Sequence, residues 1–175
     1  MAHPEQYDFC RGILNAMPKM KSNVSVLDVG SLDINGNNRG LFLLPFEYTG
    51  IDVAPGKNVD VVCLGHEFRG GPFDVVISTE CLEHDPYYIN TMANMYALLR
   101  QGGLLMMTAA TIGRPEHGTA RTTPEDSPLT QGLWPNYYRP ITLRDISEVW
   151  QQNLFESIGI VIGNPGDIKF YGVKK

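Results

Sequence analysis

Cysteine is scarce in this chain of 175 residues: Cys10, Cys63 and Cys81 form an odd set, with no Cys-x-x-Cys pair and no Cys/His array at zinc spacing. A cysteine-built zinc module is therefore excluded, and reduced thiols in an intracellular setting are the simplest reading. Nowhere do about 18 apolar residues follow one another, as a membrane helix requires, and the early acid Glu5 has no long apolar run behind it. A cytoplasmic protein without membrane contact is expected. Positive charge is also thin: 14 Lys and Arg stand against 19 Asp and Glu, a net charge of -5, with the basic residues scattered. A phosphate backbone calls for a basic stripe, so nucleic acid is a disfavoured partner. Internal repeats, low-complexity tracts and linkers are missing too, and residues 1–175 read as one domain whose 43% apolar content suffices for one core.

What is present is an alternation of apolar runs and turn formers. Tyr7, Phe9, Ile13, Leu14 and Met17 give residues 5–17 a helical rhythm that Pro18 ends. Residues 24–29 form a β-branched strand that breaks into a turn-rich loop, and residues 41–44 suggest a short helical piece. Further strands are expected at 46–53, 59–63, 73–78 and 104–109, apolar on both faces as in a covered parallel sheet. Ile89, Met92, Met95, Tyr96 and Leu99 line one face of a helix over 86–100, stopped by Gly102-Gly103. A helix over 142–152, capped by Thr142, and two strands at 155–162 and 168–173 about an Asn164-Pro165-Gly166 turn close the chain. Residues 111–140 lack periodicity and are longer than a plain connection needs, which marks a lid or substrate loop.

The chemistry gathers at strand ends, where an open α/β sheet binds its ligand. The first strand ends in Asp28-Val29-Gly30-Ser31, where Gly30 lets the backbone pass close to a ligand and Asp28 can orient the loop or hold an ammonium group. The second ends at Gly50-Ile51-Asp52, and a carboxylate there can accept both hydroxyls of a ribose. Asp52 lies about 20 residues beyond the glycine loop, as nucleoside sites expect. The fourth ends at Ser78-Thr79-Glu80.

Over roughly residues 22–110 the chain resembles class I S-adenosylmethionine-dependent methyltransferases, on V-L-D-V-G, Y-T-G-I-D, F-D-V-V-I-S-T-E-C-L-E-H and L-L-R-Q-G-G-L-L in the family's order. The resemblance implies a Rossmann-like α/β fold: a mostly parallel sheet of about seven strands, helices on both faces, and a C-terminal antiparallel strand pair. It implies S-adenosylmethionine as cofactor and S-adenosylhomocysteine as product. Asp28, Gly30, Ser31, Asp33 and Asn35 would surround the methionine part, Asp52 with Val53 the ribose, Leu64, Gly65 and His66 the adenine, and Glu80 the methyl-bearing sulfur. The chain departs from the family where G-x-G-x-G becomes Gly30, Leu32 and Ile34, and where Leu64 replaces a frequent acid.

His117 in the long loop is a candidate general base, and His84, Trp134, Tyr137, Tyr138 and Arg139 are candidate acceptor contacts, with pinning of the loop as the plainer role for the aromatics. Glu80, Glu83 and His84 spell E-x-x-E-H, similar to a proposed metal site in some ubiquinone-pathway O-methyltransferases. The same letters occur in relatives without a metal, and none is assigned. With no N-P-P-Y segment and no Pro-Cys nucleophile, a small molecule or a glycan or peptide group is the expected acceptor. A nicotinamide oxidoreductase would want G-x-G-x-x-G, which residues 30–36 do not supply. A non-catalytic module of the same fold, binding the cofactor or a partner, is the other alternative.

Overall fold

The computed structural model describes residues 4–163 and 166–175. Seven strands form one sheet: β1 Ser22–Val29, β2 Leu43–Asp52, β3 Val61–Val62, β4 Phe73–Thr79, β5 Leu99–Ala110, β6 Phe155–Gly163 and β7 Asp167–Lys174. Their order is β3-β2-β1-β4-β5-β7-β6, with β7 antiparallel to both β5 and β6 and the other pairs parallel. The α-helices are α1 Pro4–Ala16, α2 Tyr88–Leu98 and α3 Leu143–Val149. None of the described helices is long and apolar enough to cross a membrane.

Strand periodicity divides the core in two. Val24, Val26, Val75, Ile77, Leu104 and Met106 point to the face where Cys10 and Leu14 of α1 pack. Their neighbours Leu27, Val29, Val76, Leu105 and Met107 point to the other face, against Met92 and Met95 of α2 and Ile146 of α3. Trp150 and Phe170, their rings 4.8 Å apart, fill the bottom of this second layer.

Several elements differ from expectation, β3 and α3 by being shorter than the 59–63 and 142–152 expected. The helical piece expected at 41–44 is a 3-10 turn at Arg39–Leu41, and Leu43 already begins β2. Pro45 accounts for this, because the residue before a proline is driven out of the helical region. No α-helix is found among the described residues between β1 and β4, so strands and helices do not alternate there. β5 begins at Leu99, five residues before the expected start at 104, directly from the end of α2. Gly102 and Gly103 do not stop a helix; they absorb an irregularity, since Phe73 pairs with Leu99 but Val75 with Leu104, and Gly102 takes φ +69°. The expected turn at 164–166 lies partly outside the described residues.

The 111–140 loop carries two 3-10 turns, Pro124–Asp126 and Pro128–Thr130, and returns through α3. Thr142 caps α3 as expected: its Oγ1 accepts the Asp145 backbone N–H, and Asp145 in turn accepts the Thr142 backbone N–H at 2.8 Å. Asp145 also receives Arg139 through Nη2 at 2.9 Å and Nη1 at 3.1 Å, and the Tyr88 hydroxyl at 3.1 Å. Burial would raise this carboxyl, but Arg139 and then Thr142 hold it down at about 2. A depressed carboxyl contributes stability above its unfolded value near 4 and loses it as pH falls toward 2. Asp145→Asn is therefore expected to be less stable than the native chain at pH 7 in urea unfolding, with the gap narrowing as pH falls from about 4 toward 2.

Candidate functional site

The parallel strands aim their carboxyl ends at one rim, and between β1 and β4 the chain switches from building outward through β2 to building the other way through β5. A crevice opens at such a switch point. Here it is a cleft of about 870 Å³ counting its open mouth, floored by residues from the β1, β2 and β4 ends and roofed by Asp126, Ser127, Pro128, Leu129, Thr130 and Trp134 of the loop.

At the end of β1, Gly30 takes φ +79° and a side chain there would overlap Cys81, so only glycine fits the turn. Its N–H and that of Ser31 both donate to the Ile51 carbonyl, at 2.9 and 3.0 Å, which ties the loop to β2. Asp52 Oδ2 accepts the Leu32 N–H at 3.0 Å and Oδ1 the Val53 N–H at 2.8 Å. Each oxygen keeps a lone pair for another donor. Burial raises the Asp52 carboxyl, and those two backbone bonds oppose it.

Asp28 is 2% exposed. Its Oδ2 accepts the Tyr48 hydroxyl and, at 3.4 Å, Asn38 Nδ2, whereas Oδ1 has no partner. Burial pushes this carboxyl up to about 7 against the hydrogen bonds from Tyr48 and Asn38. At the end of β4, Glu80 adopts a left-handed φ of +51° and neither of its buried oxygens is hydrogen-bonded. Arg114 Nη1 stands 3.8 Å from Oε2 and also pairs with Asp167. Burial, and for Glu80 the neighbouring Glu83, raises both carboxyls. The His84 imidazole is held down at about 3 by burial and then by His117, so it is neutral near pH 7.

Of the residues expected to hold cofactor, Asp28, Gly30, Ser31, Asp52, Val53, Leu64, Gly65 and Glu80 line the cleft. Asp33, Asn35 and His66 are not among its lining residues. Asp33 is folded over its own turn, accepting the Gly36 N–H and the Asn37 amide, both at 2.8 Å, and pairing with Lys57. The His66 ring instead packs on Tyr87, 4.6 Å between centroids. Of the expected acceptor contacts, His84 and Trp134 line the cleft, and Trp134 Nε1 donates to the His84 carbonyl at 2.6 Å. Tyr137, Tyr138 and Arg139 do not line it; Arg139 is committed to Asp145 and lies over the Tyr88 ring. His117, the expected base, is also outside the lining: its ring stands edge-on to that of His84, with 5.0 Å between centroids, and Nδ1 lies 3.1 Å from the Pro115 carbonyl.

Several cleft residues were not expected. Asn38 joins Asp28 to Thr79 by hydrogen bonds, yet it follows a stretch that reads only as turn formers. The 126–130 segment carries no motif, and the sequence points to it only as part of the aperiodic 111–140 loop.

The family model described as a methyltransferase domain matches residues 1–152. The chain belongs to the methyltransferase-domain family. Solved structures similar to this methyltransferase domain include a Burkholderia thailandensis 1,6-didemethyltoxoflavin-N1-methyltransferase with bound 1,6-didemethyltoxoflavin and S-adenosylhomocysteine, 18% identical over 97% of this chain and 78% of that one, with a TM-score of 0.65. Another is magnesium protoporphyrin IX methyltransferase of Synechocystis PCC 6803 with S-adenosylhomocysteine, 16% identical over 98% and 83% of the two chains, TM-score 0.66. A third is phosphoethanolamine N-methyltransferase 2 of Haemonchus contortus with S-adenosyl-L-methionine, 17% identical over 95% of this chain but 52% of that one, TM-score 0.66. At these identities the likeness is one of fold. No curated protein matches the chain.

The raised Asp28 has a measurable consequence in the methyltransferase domain. Its ionisation is disfavoured by folding, so its contribution to stability is greatest below about 4 and is lost as pH rises through about 7. Asp28→Asn, a neutral shape match, is expected to be more stable than the native chain at pH 8, with the difference closing toward pH 4; urea midpoints at the two pH values measure it.

Proposed function

We propose that this chain is an S-adenosylmethionine-dependent methyltransferase of a single domain, acting in the cytoplasm on a small-molecule acceptor or on a small group of a glycan or peptide. The observation that carries the reading is the unpartnered Oδ1 of buried Asp28, set in one cleft with the Gly30 turn and the open lone pairs of Asp52. A ligand that bears both a cation and a ribose answers that arrangement. The Burkholderia and Synechocystis methyltransferases, both solved with S-adenosylhomocysteine bound, support the same cofactor.

The proposed assignments follow the chemistry of each group. Asp52 accepts the ribose hydroxyls, Asp28 Oδ1 the methionine ammonium, and Val53, Cys63, Leu64 and Gly65 flank the adenine. S-adenosylmethionine supplies an activated sulfonium methyl, so the protein's work is alignment and exclusion of water. Glu80 presents, on the β4 side of the cleft, a carboxyl that burial and Glu83 bias toward its protonated form until a cation arrives, and Trp134 with residues 126–130 closes over it. His84, not His117, presents the imidazole that borders the cleft.

Charge narrows the acceptor. Asp28, Asp52, Glu80, Asp85 and Asp126 line the cleft, and no Lys or Arg does among the described residues. A cation draws the raised Asp28 and Glu80 carboxyls into their ionised form, so such a lining favours cations over phosphates at close range. A neutral or cationic acceptor fits, and nucleic acid does not.

Calorimetric titration with S-adenosylmethionine, S-adenosylhomocysteine and NAD tests the cofactor. Micromolar binding of the sulfur compounds and none of NAD is expected. Binding without turnover across neutral and cationic acceptors would favour a non-catalytic module, and no binding would refute the reading. Asp52→Ala should weaken S-adenosylhomocysteine binding by roughly 1.5 to 3 kcal/mol, the range for charge-assisted hydrogen bonds, or about 10-fold to 150-fold. A folded variant with unchanged affinity would remove the ribose assignment.

A further inference from the structure

We propose that Glu83, His84 and His117 bind one divalent first-row transition-metal ion, which pins the 111–140 loop to the end of β4. The site does not depend on the methyl-transfer reading.

Geometry comes first. One ligand atom from each of the three side chains lies within 4.8 Å of the other two. Metal bonds of about 2.0–2.2 Å place ligand atoms up to about 4 Å apart, so a small rotation of the half-buried His117 closes the set. The residues come from distant stretches of the chain: Glu83 and His84 from the 3-10 turn Leu82–His84 after β4, and His117 from the loop after β5.

The hydrogen bonds leave the ligand atoms free. Glu83 Oε1 accepts the Ala110 N–H at 3.0 Å, which orients the carboxylate and leaves Oε2 without a partner in a residue of 0% exposure. Neither ring nitrogen of His84 has a partner, although the residue is only 4% exposed. His117 Nδ1 faces the Pro115 carbonyl at 3.1 Å; donation there leaves the Nε2 lone pair for a metal, the support a metal-binding histidine usually has. Gly118 keeps the space over His84 open, since a side chain there would press on the ring.

Buried polar atoms without partners are costly, and a group of them signals a missing ion or water. Glu80 Oε1 and Oε2 and the Tyr138 hydroxyl are buried without a hydrogen bond beside the same cluster, with Arg114 Nη1 3.8 Å from Oε2. The orphaned carboxylate and imidazole atoms offer lone pairs that a cation satisfies together. Glu80 and Glu83 bring two carboxylates to a region whose guanidinium, Arg114, also pairs with Asp167. Two imidazoles and one carboxylate suit Zn²⁺, Co²⁺, Fe²⁺ or Mn²⁺ better than the oxygen-seeking Mg²⁺ or Ca²⁺. Glu80 is not one of the three converging residues, so this set is distinct from Glu80, Glu83 and His84 as the sequence spells them.

The test uses tag-free full chain stripped with chelator and titrated with Co²⁺, followed by visible absorption and calorimetry. Saturation at one Co²⁺ per chain, with an absorption band of bound cobalt, a raised melting temperature and little response to Mg²⁺, is expected. His117→Ala, in the half-buried loop, should weaken Co²⁺ by about 100-fold or more, beyond the 10- to 100-fold typical of losing a supporting partner, and should abolish the thermal shift. Glu83→Gln is the second variant, and it should also lose the cobalt band. Absence of Co²⁺ uptake by the native chain, or uptake unchanged in folded His117→Ala, overturns the proposal and assigns the orphaned atoms to water.

Discussion

The carboxyl edge of this sheet buries more acidic groups than basic ones, and most of what surrounds it is arranged around that imbalance. Asp28, Glu80 and Glu83 are each at most 6% exposed. Removing a carboxylate from water costs several kcal/mol unless a partner replaces the solvent. The replacement here is partial: backbone N–H groups on Asp52 and Glu83, a hydroxyl and an amide on Asp28, and one guanidinium near Glu80. The remaining deficit takes the form of raised carboxyl affinities for protons. It would be relieved by a cation, and each unsatisfied oxygen is a position where a cationic ligand gains more than it would on an exposed surface.

The loop over the cleft holds its place through connections to the same strand ends. Arg139 donates its backbone N–H to the Glu83 carbonyl at 2.9 Å, Ile141 to Ala110 at 2.8 Å, and Trp134 its indole to His84. Further on, Asp145 gathers Arg139, Tyr88 and Thr142 into one cluster between α2 and α3. Loop, helix cap and β4 end are thus linked, and displacement of the loop would leave the Glu83 and His84 carbonyls without those donors. That linkage joins Arg139, a candidate acceptor contact in the sequence, to Asp145 of the helix cap. Arginine presents its planar fork equally well to a substrate and to a buried aspartate.

Much of the fold was legible because strand and helix patterns are local. The apolar, β-branched run at 24–29 and the Thr142 cap needed no tertiary information, and they hold. The rim of the cleft was legible at Asp28, Gly30 and Asp52 because strand ends converge in any open parallel sheet. The start of β5 was not: Gly102-Gly103 has the same letters whether it ends a helix or forms a bulge, and pairing with β4 decides between them. Nor was the placement of Asp33, Asn35 and His66, whose side chains depend on a loop path that no periodicity encodes. Tyr138 and His117 were visible as residue types only. Their edge-on contact at 5.0 Å with each other, and the grouping of both about His84, exist only once the loop has folded back.

Strain at the rim follows from the same arrangement. Glu80 occupies a left-handed backbone position that a non-glycine residue adopts at a cost of about 1 to 3 kcal/mol, which persists only when surrounding structure holds it there. Here its N–H is bonded to the Thr108 carbonyl of β5, so the sheet itself imposes the turn. A relaxed backbone would aim the residue elsewhere and spare both the strain and the burial of its carboxylate. Strain, burial and absent hydrogen bonds at one residue all work against stability, and the Cys81 side chain pressed against Gly30 shows how little room the turn has to relax. A residue that collects three destabilising features on a ligand-sized cleft is better explained by what it meets there than by what it does for the fold.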